Sequence, residues 1–266
     1  DDEGSYCHGG IGLGQRRLAI IDLRRESTAP LSNEDGTIWI VFNGEIYNFQ
    51  ELRGRLVKQG HVFRTGSDTE VIIHLYEQYG IECLQHLRGM FAFVIWDSAK
   101  RWLFAARDRL GKKPFFYTTS PSRFLFASEI KAITADPSVV AKPNFNAIDR
   151  YLTCQYVPAP LTAFADIHKL QAGHYLLCTG PNDVRVSPYW LPGQVPKTTL
   201  TQPEAAERLL EILKDAVRLR MIADVPIGAF LSGGVDSGAV VALMAMQSAS
   251  PVKTFSIGFN EERYNE

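Results

Sequence analysis

FLSGGVDSG, residues 230–238, lies between an apolar run, DVPIGAFL (224–231), and a helix-spaced stretch, VDSGAVVALMAMQ (235–247). A strand entering this segment and a helix leaving it would place free backbone N–H groups, and the positive end of a helix dipole, at the turn. Such a turn favours an anion. Gly233 and Gly234 permit the close backbone approach that a phosphate demands, and Ser232 and Ser237 add hydroxyl donors. The Lys of a GxxxxGK[ST] loop is missing. Asp236 would repel a bare phosphate, which predicts a bridging Mg²⁺ between this carboxylate and a di- or triphosphate. Without a Lys reaching for a γ-phosphate, cleavage between the α- and β-phosphates is the more natural chemistry. A glycine pair alone is as well explained by a plain turn; the strand–SGGxDS–helix context is what favours the phosphate.

KTFSIGF (253–259) follows, completing strand, helix and strand: a parallel βαβ unit with an expected right-handed crossover. Two parallel strands cannot cover both their faces. The second domain is therefore expected to be truncated in this sequence. Ahead of it, TQPEAAERLLEILKDAVRLRMI (201–222) sets Leu209, Leu210, Leu213, Ala216, Val217 and Leu219 at helical spacing, with Pro203 and Glu204 in the first turn. LPGQVPKTTL, residues 191–200, carries two Pro, one Gly and little periodicity, and reads as a linker. It separates a first domain, 1–190, from the start of a second, 201–266.

The first domain has a different grammar. TIWIVFNGEIY (37–47) alternates and then breaks at Asn43-Gly44. MFAFVIWDSAKRWLFAARD (90–108) reads as a hairpin turning at Asp97–Lys100, and PFFYTTSPSRFLFASE (114–129) as another with a Ser-Pro-Ser turn. Helices are predicted for NFQELRGRLVKQG (48–60), stopping at Gly60, and for SDTEVIIHLYEQYGIECLQHL (67–87), capped at Ser67 with Glu70 behind it. NAIDRYLTCQYV (146–157) is a short helix ended by Pro158 and Pro160, and a last hairpin turns at Gly180–Pro181–Asn182.

At 266 residues, 45% hydrophobic and 21% charged, the chain can bury a core and is not a disordered polymer. A net charge of −1 gives no electrostatic case for nucleic acid or a membrane surface. No apolar run reaches the roughly 20 residues of a membrane span, and the N-terminus is unlike a secretory signal. Cys7, Cys83, Cys154 and Cys178 lack metal-ligand spacing and read as buried, reduced thiols. The six His residues are equally dispersed, so a metal site built wholly from protein ligands is unsupported.

The loop resembles the pyrophosphate loop of ATP pyrophosphatases. GQRRLAIIDL, FNGEIYNFQELR, GSDTEVIIHLYEQYG, LRGMFAF, RDRLGKKPFFY, ASEIKA, YVPAP and DVPIGAFLSGGVDS, in that order, extend the likeness across essentially the whole chain. Together they resemble the glutamine-hydrolysing asparagine synthetases. The resemblance implies an α+β N-terminal-nucleophile glutaminase domain, an αββα sandwich, followed by the start of an α/β parallel-sheet ATP-pyrophosphatase domain. It implies activation of aspartate by ATP and Mg²⁺ as aspartyl-AMP, with pyrophosphate released, and amidation by ammonia from glutamine.

It also implies site residues. Arg17, with Leu18, Ala19, Ile20 and Ile21, matches the segment that binds the glutamine α-carboxylate, where a guanidinium pairs well. Asn43 and Gly44 match the oxyanion hole, and Glu45 and Asp68 the acceptors for the α-ammonium. Leu231, Ser232, Gly233, Gly234, Val235, Asp236, Ser237 and Ile257 match the ATP site, with Ile257 expected on the second strand and Asp236 holding Mg²⁺ through ATP. Singly these residues have plainer explanations: Asn43-Gly44 as a hairpin turn, Asp68 as a helix cap, Arg17 as a solvated charge. Their joint occurrence in family order carries the resemblance.

The family's nucleophile, a Cys at the mature N-terminus, is expected upstream of DDEG, and Cys7 does not replace it. The chain alone is therefore expected to have neither half-activity. Val235, Gly238, Lys112 and LQAGH (170–174) depart from the family pattern and favour, as the alternative, a related ligase amidating another carboxylate or closing a lactam. A sugar-phosphate amidotransferase is argued against by the SGGVDS loop, and a non-catalytic module by the complete glutamine set. The resemblance further implies a cytoplasmic enzyme of small-molecule substrates (glutamine, aspartate and ATP), compatible with a homodimer.

Overall fold

The computed structural model describes residues 2–193, 196–261 and 263. The chain forms two compact units: Asp1–Leu18 with Arg24–Gln194, and Ala19–Leu23 with Val195–Glu266.

In the first unit, β1 (Asp2–His8) and β2 (Ile11–Arg17) form an antiparallel hairpin in the Asp2↔Arg17 register. β3 (Leu31–Ser32) and β4 (Ile38–Ile46) follow, then α1 (Phe49–Lys58) and α2 (Asp68–Tyr79). β5 (Gly89–Asp97), β6 (Trp102–Arg107), β7 (Phe116–Ser120) and β8 (Arg123–Ala127) come next, then α3 (Ile130–Thr134) and α4 (Phe145–Cys154). β9 (His168–Lys169), β10 (His174–Gly180) and β11 (Asp183–Pro188) complete it. A six-stranded sheet runs β11-β10-β6-β5-β4-β3, and a three-stranded sheet β8-β7-β9.

Strand alternation sorts the large sheet into two faces. Val41, Val94, Ala105 and Leu176 lie on one face and join a core with Leu13, Phe115 and Leu170 from the smaller sheets and their connections. On the opposite face Phe104 stacks on Tyr76 of α2, ring centroids 5.6 Å apart. Tyr76 donates its hydroxyl to Asp97 Oδ2 at 2.8 Å and accepts from Trp102 Nε1 at 2.8 Å, tying α2 to the β5–β6 hairpin. The layers are thus helices on sheet on sheet.

Three local expectations are corrected. Asn43-Gly44 does not break its strand: β4 continues to Ile46, Asn43 opposing Ala92 and Gly44 opposing Phe91. The glycine serves a close approach, because a Cβ at residue 44 would collide with the Met90 carbonyl. The short helix α4 ends at Cys154, ahead of both prolines, with Gln155 in the left-handed region at φ 60°. Cys83 and Cys178 are buried, but Cys7 and Cys154 are exposed, and all four are free thiols.

In the second unit, α5 (Gln202–Arg220) opens with a capping box between Thr201 and Glu204. β12 (Gly228–Phe230), α6 (Val235–Gln247) and β13 (Lys253–Phe255) follow, with β12 and β13 pairing in parallel. The ladder ends at Phe230↔Phe255, so Ile257 lies beyond the second strand rather than on it, and is exposed. Val217, Leu243 and Met244 are the buried centre of this unit. Segment 19–23 joins it through reciprocal bonds: the Asp22 N–H donates to Asp224 Oδ2 at 2.7 Å, and the Asp224 N–H to the Ile20 carbonyl at 2.9 Å.

Candidate active sites

The glutamine-site residues converge on the end of β4. Beyond Ile40 no strand covers the β4 edge that faces away from β5 among the described residues, and side chains take that place. Gln15 brackets Phe42, donating to its carbonyl at 2.7 Å and accepting from its N–H at 2.8 Å. Asp68 Oδ2 accepts the Ile46 N–H at 2.8 Å. By the two-residue period of a strand, the Gly44 N–H faces the same edge, between these two clamps. Phe91, opposite Gly44, spends both its backbone groups on Asp108 instead (Phe91 N–H to Asp108 Oδ2 at 3.2 Å, Asp108 N–H to the Phe91 carbonyl at 2.8 Å). The Asn43 side chain lies 3.3 Å from the Ser128 hydroxyl, to which its Nδ2 donates. One backbone and one side-chain donor thus sit on consecutive residues.

Ser67 caps α2, accepting from the Thr69 N–H at 3.1 Å, which places Asp68 at the first helical position, buried. Its carboxyl meets that of Glu45. Burial pushes the Glu45 carboxyl well above the usual range, and the negative Asp68 beside it pushes further. The charges of Lys113 and Arg17 pull it partly back. Burial also raises Asp68, while the Ile46 N–H and a hydrogen bond from Glu45 favour its anionic form. The pair is best described as one proton on Glu45, donated to Asp68.

Arg17 closes β2 and is half-buried, its Nη1 donating to the Arg24 carbonyl at 3.5 Å. Leu18 is exposed, and Ala19, Ile20 and Ile21 cluster with the second unit. The structure therefore gathers Asn43, Gly44, Glu45 and Asp68, with Arg17 in electrostatic reach.

Sequence reasoning missed two neighbours, Lys113 and Ser128. Lys113 ends a loop organised from within. Arg107 donates to the carbonyls of Lys113, Leu170 and Gly111, each at 2.6 Å, and Asp108 accepts the N–H groups of Leu110, Lys112 and Lys113 at 3.0–3.1 Å. The Arg-Asp pair ahead of LGKKP was the signal: two opposite charges closing an apolar strand, here serving backbone rather than solvent.

In the second unit, Gly233 has φ +87°, and Gly234 is the N-cap of α6 without a side-chain cap bond. No side chain therefore caps the first N–H groups of the helix. Ser232 and Ser237 hydroxyls lie 3.2 Å apart, and Ser237 also donates to the Gly234 carbonyl at 3.1 Å. Asp236 stands in the first turn of α6, exposed with the rest of residues 232–236. A positive-φ glycine, an uncapped helix start and a hard carboxylate oxygen fit a phosphate with its Mg²⁺.

Residues 1–190 match a family model described as a glutamine amidotransferase domain, and residues 208–266 one described as asparagine synthase. The chain belongs to the glutamine amidotransferase family. Among curated relatives, asparagine synthetase [glutamine-hydrolyzing] 1 of Bacillus subtilis is 38% identical over 266 residues, covering 100% of this chain and 42% of the relative. Asparagine synthetase [glutamine-hydrolyzing] 3 of the same organism is 37% identical over 268 residues, covering 98% of this chain and 43% of its own. The amidotransferase chain thus spans less than half the length of these relatives. A solved structure of the allosteric regulatory enzyme of purine biosynthesis superposes at a TM-score of 0.50 with 17% identity, over 91% of this chain and 50% of that one. That likeness concerns the fold alone, which is the α+β architecture of the N-terminal-nucleophile amidotransferases. No described helix is long and apolar enough to cross a membrane.

Proposed function

We propose that the chain carries the glutamine site and the nucleotide loop of an ATP-dependent asparagine synthesis. The observation that carries this reading is the Glu45–Asp68 pair, a buried cation receptor placed beside two oxyanion donors. Glutamine is oriented by Arg17 at its α-carboxylate and by Glu45 and Asp68 at its α-ammonium. The Asn43 amide and the Gly44 N–H stabilise the oxyanion as the side-chain amide is hydrolysed to glutamate and ammonia, donors typically worth about 10²–10³ in rate each.

In the second unit, the N–H groups at the start of α6, with Ser232, Gly233, Gly234, Val235 and Ser237, hold the pyrophosphate part of ATP. Leu231 and Ile257 flank the nucleotide. Asp236 would hold Mg²⁺, which would supply positive charge to the departing pyrophosphate. A carboxylate oxygen of aspartate attacks the α-phosphorus, pyrophosphate leaves, and ammonia then displaces AMP from the acyl carbon.

The test is the product pair. The enzyme bearing this chain, given ATP, Mg²⁺, aspartate and glutamine, should form AMP and pyrophosphate, one of each per asparagine. Release of ADP and inorganic phosphate instead would overturn the adenylation step, and turnover that ignores aspartate would overturn the acceptor.

A further inference from the structure

The even scatter of histidines along the sequence gives no hint of a protein-built metal site, but the structure brings three possible ligands together. His61, in the connection between α1 and α2, meets His74 and Glu77 of α2, and the ligand atom each offers lies within 4.8 Å of the other two. His74 Nδ1 is 2.7 Å and His61 Nδ1 3.3 Å from the same Glu77 oxygen, Oε2. Four-coordinate Zn²⁺, with bonds of about 2.0–2.1 Å, sets its ligand atoms roughly 3.3 Å apart, so only small side-chain rotations separate this arrangement from a coordination shell.

Two of the three atoms that face away from the shared centre are held as well. His61 Nε2 is 3.2 Å from Gln78 Oε1. Glu77 Oε1 accepts from Asn33 Nδ2 at 2.9 Å. His74 Nε2 is buried without a hydrogen bond, yet lies 3.7 Å from Glu70 Oε1. Outer partners of this kind, and a carboxylate behind an imidazole above all, orient metal ligands and raise their basicity. A surface ion pair has no need of them. The His74 side chain is 1% exposed, whereas His61 and Glu77 keep 15% and 20%, which leaves a way in from solvent.

We propose that His61, His74 and Glu77 form a binding site for a divalent transition-metal ion of the Zn²⁺ class. The donor set selects it: two imidazoles with one carboxylate suit Zn²⁺ and its neighbours and not Mg²⁺ or Ca²⁺, which take oxygen shells. The site shares no residue with the glutamine set or the nucleotide loop, and its role is to pin the α1–α2 connection to the body of α2. The competing arrangement is a proton shared between His74 and its two glutamates, which the ion must displace.

Co²⁺ added to the apo protein should bind one ion per chain, with the visible bands of a low-symmetry site, and Zn²⁺ should displace it. Zn²⁺ at a hundredfold excess over its Kd should raise the unfolding temperature by roughly 5 °C or more. His61→Gln should abolish both effects, and His8→Gln, an exposed histidine on β1, neither. Glu77→Gln serves as a second variant should the first fail to fold. The proposal is overturned if the parent protein shows no Co²⁺ bands and no Zn²⁺-dependent shift, which would leave only a proton-bridged network. It is equally overturned if the folded His61→Gln or Glu77→Gln protein binds the ion as the parent does.

Discussion

At residue 44 there is no room for a side chain: a Cβ would run into the Met90 carbonyl and the Phe91 Cα across the ladder. Gly44→Ala must therefore push β4 and β5 apart where the proposed oxyanion donors sit. The expected cost is about 1–3 kcal/mol, seen as a fall of several degrees in unfolding temperature. Glutamine affinity should fall with it, and a variant as stable as the parent would mean that the strands do not approach as described. Next along the strand, Glu45 rises to about 8 and Asp68 to about 6, so between the unfolded carboxylate range and those values the native state binds more protons than the unfolded chain. Stability contributed by this pair is accordingly present at low pH and lost as pH rises toward 8. Glu45→Gln should flatten that loss, giving a smaller drop in unfolding temperature between pH 5 and pH 9 than the parent shows. Glutamine, whose ammonium takes the proton's place, should bind with proton release, up to tenfold more tightly per pH unit while the pair is protonated. Calorimetry in two buffers of different ionisation enthalpy measures that release directly.

Elements were legible where one period dominated. The β5–β6 and β7–β8 hairpins announced themselves through apolar runs around a polar turn, and α2 through a serine cap ahead of an apolar helix. The β1–β2 hairpin did not, because DEGSYCHGGIGLGQRR has too few apolar residues for alternation to show; only the Gly9-Gly10 pair between its strands marked it. At Asn43-Gly44 a good turn signal was overridden by tertiary context, since a glycine needed for close strand approach looks the same in sequence as one needed for a turn. Convergence of His61, His74 and Glu77 was invisible for a similar reason: the pair on α2 stands three residues apart, but its partner arrives from another segment. Gly238 of α6 is an opposite case, where the element does not need its glycine. Its N–H bonds to the Gly234 carbonyl at 3.0 Å in regular helical fashion, and a Cβ there would meet nothing within 4 Å. Gly238→Ala should therefore stabilise the second unit by up to about 1 kcal/mol, raising its denaturant midpoint with an unchanged slope. A loss of stability would mean that the helix start is not as drawn.

Across the whole molecule, chemistry is divided between two units that share one chain, which passes between them after Leu18, after Leu23 and after Gln194. On the proposed function, the cation receptor, Glu45 with Asp68, belongs to the first, and the anion receptor, the start of α6 with Asp236, to the second. Their electrostatic demands are opposite. A site for an ammonium is built from buried acids, and a site for a triphosphate from backbone N–H groups and a magnesium-binding carboxylate, so one substitution cannot damage both by the same route. Asp236→Asn keeps the shape of the helix start but removes the charge proposed to hold the metal. It should weaken Mg·ATP binding about tenfold or more while leaving the glutamine Kd within about twofold. Glu45→Gln should do the reverse, weakening glutamine binding and sparing the nucleotide. Equilibrium titration of both variants with both ligands gives four ratios, and only a crossed pattern is compatible with two independent receptors. If either substitution shifted both dissociation constants by a common factor, the two ligands would be competing for one conformational equilibrium, and each unit's binding would have to be rederived as a property of the whole.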